Sequence, residues 1–211
     1  MLYQTKNPHG GDVYGEPVDL DFSANTHPFG TPEGILEAVR ESLGSLHRYP
    51  DPYCRRLVRA ISDHEAVPQP YILCGNGAAE LIGAWCEAVR PAKALELAPT
   101  FSEYARCLKR TGCEVVHCSL NPETDFSVGA ELPAAIRAQR PDAVVLCNPN
   151  NPTGRLIPEP VLGEVLELTA ELGIRLFVDE CFLDLTETGR SLSGKLADDP
   201  QLFLLRAFSI W

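Results

Sequence analysis

The chain has 211 residues, with 18 basic against 29 acidic side chains and a formal net charge of -11. That length supports an ordinary buried core, and 45% hydrophobic with 22% charged residues is a globular rather than a disordered composition. The acidic balance argues against nucleic acid or an anionic membrane as a partner of the whole surface, and no apolar run reaches the roughly 18 residues of a membrane span.

Residues 1–30 read as an arm rich in Gly, Pro, Asn and His, and the first residues, Met1 to His9, contain no apolar signal core. Thr31-Pro32-Glu33 predicts a helix over 31–43 with proline at its first position. His47 to Pro52 reads as a stiff connector, because each proline restricts itself and its predecessor. A second helix is predicted over 53–65, with Tyr53, Leu57, Ala60 and Ile61 on one face. From residue 71 onward strands and helices alternate. Strands are predicted over 71–74, 94–98, 114–119, 143–147, 176–179 and 202–208. Helices are predicted over 78–89, 101–110, 132–138 and 159–172, the last with Leu162, Val165, Leu166, Thr169 and Leu172 on one side. Strands that alternate with helices and are apolar on both faces predict an α/β fold with a mostly parallel sheet.

The eight cysteines form no C-x-x-C pair, and most lie in apolar runs such as Ile72-Leu73-Cys74 and Val145-Leu146-Cys147. They read as free thiols in a reducing, cytoplasmic setting, and their spacing offers no zinc or other metal site.

In parallel sheets ligands bind beyond the carboxyl ends of the strands, so the residues there carry the functional reading. Gly75-Asn76-Gly77-Ala78 opens directly into a helix, which fits either a phosphate cradle on backbone amides or a plain strand-to-helix turn. It matches neither G-x-G-x-x-G nor a G-K-[ST] loop, which lowers the dinucleotide and nucleoside-triphosphate readings. Phe101 after Pro99-Thr100 is placed to stack on a planar ring or to sit in the core. Asn148-Pro149-Asn150-Asn151-Pro152-Thr153-Gly154 is a stiff polar loop whose amides suit a phenolate or carbonyl oxygen. Asp179 ends an apolar strand, where a carboxylate is costly unless paired. A protonated ring nitrogen would pair it, and a plain helix N-cap is the alternative role.

Taken together, Gly75-Asn76-Gly77, Pro99-Thr100-Phe101, Asn150-Asn151-Pro152-Thr153-Gly154 and Asp179-Glu180 resemble the class I/II aminotransferases, pyridoxal-phosphate enzymes of the aspartate-aminotransferase-like fold. The resemblance implies a three-layer α/β/α large domain over 31–211, with its last strand and the small C-terminal domain missing. It implies that Asn76, Gly77 and Ala78 hold the cofactor phosphate, that Phe101 stacks on the pyridine ring, that Asn151 bonds the phenolic oxygen, and that Ser209 is a further cofactor-binding residue. The resemblance further implies that Asp179 keeps the pyridine nitrogen protonated, which makes the ring an electron sink. By the same resemblance Tyr49 is expected to reach the cofactor phosphate of a partner subunit, which implies a homodimer, and Asn25 to face the substrate.

Arg48-Tyr49-Pro50-Asp51-Pro52 is similar to the branch holding histidinol-phosphate aminotransferase, of histidine biosynthesis, and threonine-phosphate decarboxylase, of cobalamin biosynthesis. His9-Gly10-Gly11, Asp21-Phe22-Ser23-Ala24-Asn25 and Asp179-Glu180-Cys181-Phe182-Leu183-Asp184 tilt it toward the decarboxylase and a small phosphorylated amino acid as substrate. The family's cofactor-anchoring lysine is expected directly after Ser209, where Ile210 stands. The expectation is a truncated chain with a cofactor cradle and no covalent anchor, inactive alone; a non-catalytic remnant is the reading set against it.

Overall fold

The computed structural model describes residues 10–15, 18–25 and 29–208. The chain divides into two compact units, one of Met1–Pro50 with Phe208–Trp211 and one of Asp51–Ala207.

In the first unit the sole regular element among the described residues is α1, Glu33–Ser42, followed by a 3-10 turn over Leu43–Ser45. Pro32 is the N-cap, with ψ 139, and Glu33 rather than the proline begins the helix. The two short motifs of the arm meet one another. The Gly11 amide donates to Ser23 Oγ at 2.8 Å, and the Ser23 hydroxyl and amide both donate to Asp21 Oδ1. A Cβ on Gly10 would fall 1.7 Å from the Ser23 carbonyl oxygen, so only glycine fits there.

The second unit opens with α2, Arg55–Glu65. Its start is later than the predicted 53 because Cys54 adopts a left-handed φ of 48 as the N-cap. The strand expected over 71–74 does not form. Gln69–Tyr71 makes a 3-10 turn, Ile72 is extended, and among the described residues no neighbouring strand pairs with this stretch. Tyr71 and Leu73 stay exposed, so no face of it is buried tightly enough to demand a partner.

The remaining elements follow the predicted alternation: α3 Ala78–Val89, β1 Lys93–Ala98, α4 Ser102–Arg110, β2 Glu114–Ser119, α5 Glu131–Gln139, β3 Ala143–Cys147, α6 Glu159–Leu172, β4 Arg175–Asp179 and β5 Leu202–Leu205. The last strand ends three residues before the expected 208. All four strand pairings are parallel, in the order β2-β1-β3-β4-β5. Alternate side chains of each strand serve opposite faces. Leu95, Leu97, Val144, Leu146, Leu176 and Val178 pack with Leu132 and Ile136 of α5 and with Leu162, Val165 and Leu168 of α6. Ala94, Val145, Cys147 and Phe177 pack on the other face with Ile82 and Trp85 of α3 and Tyr104 and Leu108 of α4. The result is the expected three-layer α/β/α arrangement. Within α6, buried Thr169 is tolerated because its hydroxyl donates to the Val165 carbonyl at 2.8 Å.

The register of β3 and β4 pairs Cys147 with Asp179, so the two strands end level. This alignment brings the Asn-Pro loop and the aspartate to one end of the sheet. All eight cysteines are free thiols.

Candidate functional site

Asp179 is the last residue of β4 and is 4% exposed. Its two oxygens have different donors. The Tyr104 hydroxyl donates to Oδ2 at 2.6 Å, and the Cys181 amide donates to Oδ1 at 2.9 Å. A carboxylate can accept about four hydrogen bonds, so these two donors fix its plane and leave capacity for a third group. Burial raises the Cys147 thiol to about 12 and pushes the Cys181 thiol far higher, each with the Asp179 charge adding to the effect. Both stay protonated and neither is an available nucleophile.

The loop after β3 divides its three asparagines by role. Asn148 Oδ1 accepts from the Ile157 amide at 2.8 Å, and the Asn148 amide donates to the Asp179 carbonyl. Asn150 is 1% exposed and is wholly used within the fold: its Oδ1 accepts from Thr100 Oγ1 at 2.8 Å, and its Nδ2 donates to the Pro99 carbonyl and to Thr153 Oγ1, both at 3.0 Å. Asn151 is half-buried, and among the described residues its side chain makes no hydrogen bond. The peptide bonds Ala98-Pro99, Asn148-Pro149 and Asn151-Pro152 are cis.

At the start of α3, Gly77 is the N-cap, with φ 83 and ψ 166. Glu80 reaches back to accept from the Asn76 amide, and the Gly77 amide donates to the Gly75 carbonyl at 3.0 Å. The amides of Ala78 and of Ala79 beside it carry no bond among the described residues. Of the three expected cradle positions, Ala78 is therefore the one whose amide is left for an anion, at the positive end of the helix dipole. Phe101 is the N-cap of α4, and its ring meets Tyr104 edge-on, with centroids 5.6 Å apart.

Phe101, Ala78 and Cys181 all pack against the same core cluster as Tyr104 and Cys147. Asn25 and Tyr49 belong to the first unit, where both are exposed, and Ser209 lies outside the described residues. Two residues of this region carry more than their sequence context suggests. Tyr104 lies three positions after Phe101, a helical spacing that places both on one face. Glu180 is fully buried and accepts from Ser191 Oγ at 2.6 Å and from the Leu192 amide at 2.9 Å. Arg206 lies 3.7 Å from the same carboxylate.

A buried acceptor at a strand end, an unused carboxamide, unused helix amides and an aromatic edge suit a flat, protonated heterocycle bearing an oxygen and a phosphate. Pyridoxal 5'-phosphate has those groups, and the donor set fits it.

A family model described as aminotransferase class I and II matches residues 17–209. The chain is 37% identical, over 95% of its length and 57% of the relative's, to the threonine-phosphate decarboxylase of Salmonella typhimurium. It is 35% identical, over 92% of its length and 54% of the relative's, to a histidinol-phosphate aminotransferase of Desulfitobacterium hafniense. The solved histidinol-phosphate aminotransferase of Sinorhizobium meliloti, in complex with pyridoxal-5'-phosphate, superposes with a TM-score of 0.78 at 25% identity, over 88% of this chain and 51% of that one. The chain spans about half the length of the relatives it matches.

Proposed function

The chain belongs to the class I and II aminotransferases, whose cofactor is pyridoxal 5'-phosphate, and from that premise we propose that its strand ends hold this cofactor for an enzyme acting on a small phosphorylated amino acid. The observation that carries the reading is the Asp179 carboxylate, buried at the end of β4 and held in plane by Tyr104 and Cys181. Such a carboxylate is matched to a protonated ring nitrogen. Asn151 turns its unused side chain to the phenolic oxygen, Phe101 covers the ring, and the amides at the start of α3 take the phosphate. Bound there, the cofactor supplies an electron sink for a substrate's α-carbon. Asn25 is assigned to the substrate, and Tyr49 to the phosphate of a partner subunit in a homodimer.

Decarboxylation of threonine phosphate is the preferred reaction. The Gly10, Gly11, Asp21 and Ser23 cluster supports it, because the two arm motifs that incline toward the decarboxylase are packed on each other. The test is in two stages. Titrating the protein with pyridoxal 5'-phosphate should give saturable binding, and Asp179→Ala and Asn151→Ala should each weaken it about tenfold or more. Equal binding in both variants would reject the site. In a full-length relative loaded with cofactor, carbon dioxide release from threonine phosphate is then set against amino transfer from histidinol phosphate to 2-oxoglutarate. Amino transfer alone would replace the decarboxylase reading with the transaminase one.

A further inference from the structure

We infer that Tyr104 is a positioning residue for the cofactor, setting both the carboxylate that meets the ring nitrogen and the aromatic ring that covers the cofactor. The inference rests on the cofactor reading above and adds to it a residue that makes no cofactor contact of its own. Tyr104 is 1% exposed on α4, between the helix and the sheet. Its hydroxyl donates to Asp179 Oδ2 at 2.6 Å, a short charge-assisted bond. Its ring meets Phe101 edge-on at 5.6 Å and lies 6.2 Å from Phe177 of β4. One side chain thus links the N-terminus of α4 to the end of β4.

Burial holds the Tyr104 hydroxyl protonated well beyond the ordinary tyrosine range, with the Cys147 thiol and Asp179 beside it acting in the same direction. The hydroxyl therefore stays a donor throughout the neutral range. A donor on a carboxylate favours its charged form. A proton shared between Asp179 and a ring nitrogen has two resting places, and the Tyr104 bond favours the nitrogen. Phenylalanine at this position keeps the ring packing and removes that bias. The second oxygen would still hold the Cys181 amide, so the carboxylate keeps one of its two guides.

The experiment loads the protein with pyridoxal 5'-phosphate labelled with 15N in the ring and reads the nitrogen resonance and the dissociation constant. In Tyr104→Phe the resonance should move toward the unprotonated value and binding should weaken about fivefold. Site-specific 3-fluorotyrosine at position 104, a stronger donor of nearly the same shape, should move the resonance the other way and provides the answer if Tyr104→Phe does not fold. No movement in either variant would overturn the role of Tyr104. Asp179→Asn separates the two levels: if it changes resonance and affinity while the Tyr104 variants do not, the positioning role alone fails. If Asp179→Asn changes neither, the cofactor reading fails with it.

Discussion

His117 Nδ1 on β2 stands 3.3 Å from Oε1 of Glu96 on β1, the two residues being directly paired in the parallel register. The other Glu96 oxygen, Oε2, is buried and has no hydrogen-bond partner among the described residues. Desolvation pushes the Glu96 carboxyl up to about 7, against a pull downward from the Lys109 charge on α4. An orphan oxygen under α4 is a standing cost whenever the group is ionised.

The sign of the pH effect follows. The folded chain holds the Glu96 proton up to about 7, whereas the unfolded chain releases it near the ordinary carboxyl value of 4.5. Between those values the folded state binds more protons, so stability falls as pH rises through the window and is level above it. The shift corresponds to roughly 3 kcal/mol. Glu96→Gln should therefore melt several degrees above the parent protein at pH 8 and by a clearly smaller margin at pH 5. Melting curves that keep a constant offset from pH 5 to pH 8 would show that Glu96 does not titrate in this window.

The three asparagines of the loop give a contrast that separates architecture from chemistry. Asn150→Ala removes one acceptor and two donor contacts inside the fold and should cost about 2–3 kcal/mol in urea unfolding. Asn151→Ala should leave stability within about 0.5 kcal/mol, yet lower cofactor affinity. The reverse pattern would mean that the roles of the two residues are exchanged.

That contrast also marks how far the sequence could be read. The Asn-Pro loop was legible as a polar site, because three amides in seven residues exceed what a turn requires. Only the family resemblance singled out Asn151; which amide remains unused was not legible in the loop itself. That depends on Thr100 and Pro99 arriving 50 positions earlier in the chain, at the end of a neighbouring strand. The sheet was legible from apolar runs such as Ala143–Cys147, which the structure buries at every position. Residues 71–74 failed as a strand because an extended apolar stretch needs a partner as well as a pattern, and pairing is non-local. Nothing in the sequence around Tyr104 marks a role for it, since its hydroxyl partner lies 75 residues away.

Arg206 follows β5 and faces three carboxylates, with Nη2 2.6 Å from Asp184, and Nη1 3.3 Å from Glu65 of α2 and 3.7 Å from Glu180. Burial raises the Glu180 carboxyl, while Arg206, Ser191 and Leu192 pull it back toward the charged form. Arg206→Met leaves a fully buried acid without its countercharge and should destabilise the protein by about 3 kcal/mol. Adding Glu180→Gln to that variant should recover part of the loss, because an amide can still meet Ser191 without carrying a charge. If the double variant is as unstable as the sum of the two single ones, Arg206 and Glu180 are energetically independent.

Gly77 offers a test of the phosphate cradle that leaves the ring contacts alone. Its backbone, φ 83 and ψ 166, lies in a region essentially reserved for glycine, yet a Cβ there would meet nothing within 4 Å. The constraint is conformational and not steric crowding. Gly77→Ala should relax the turn, cost roughly 1–3 kcal/mol of stability, and shift the Ala78 and Ala79 amides that follow. Those amides face the phosphate in the proposed site, whereas Asp179, Asn151 and Phe101 face the ring. Titration with two probes separates the parts: affinity for pyridoxal 5'-phosphate should fall about tenfold, and affinity for pyridoxal, which has no phosphate, should change less than twofold. Equal losses for both probes would place the effect of Gly77 in the ring pocket or in global stability, and would remove the start of α3 from the phosphate site.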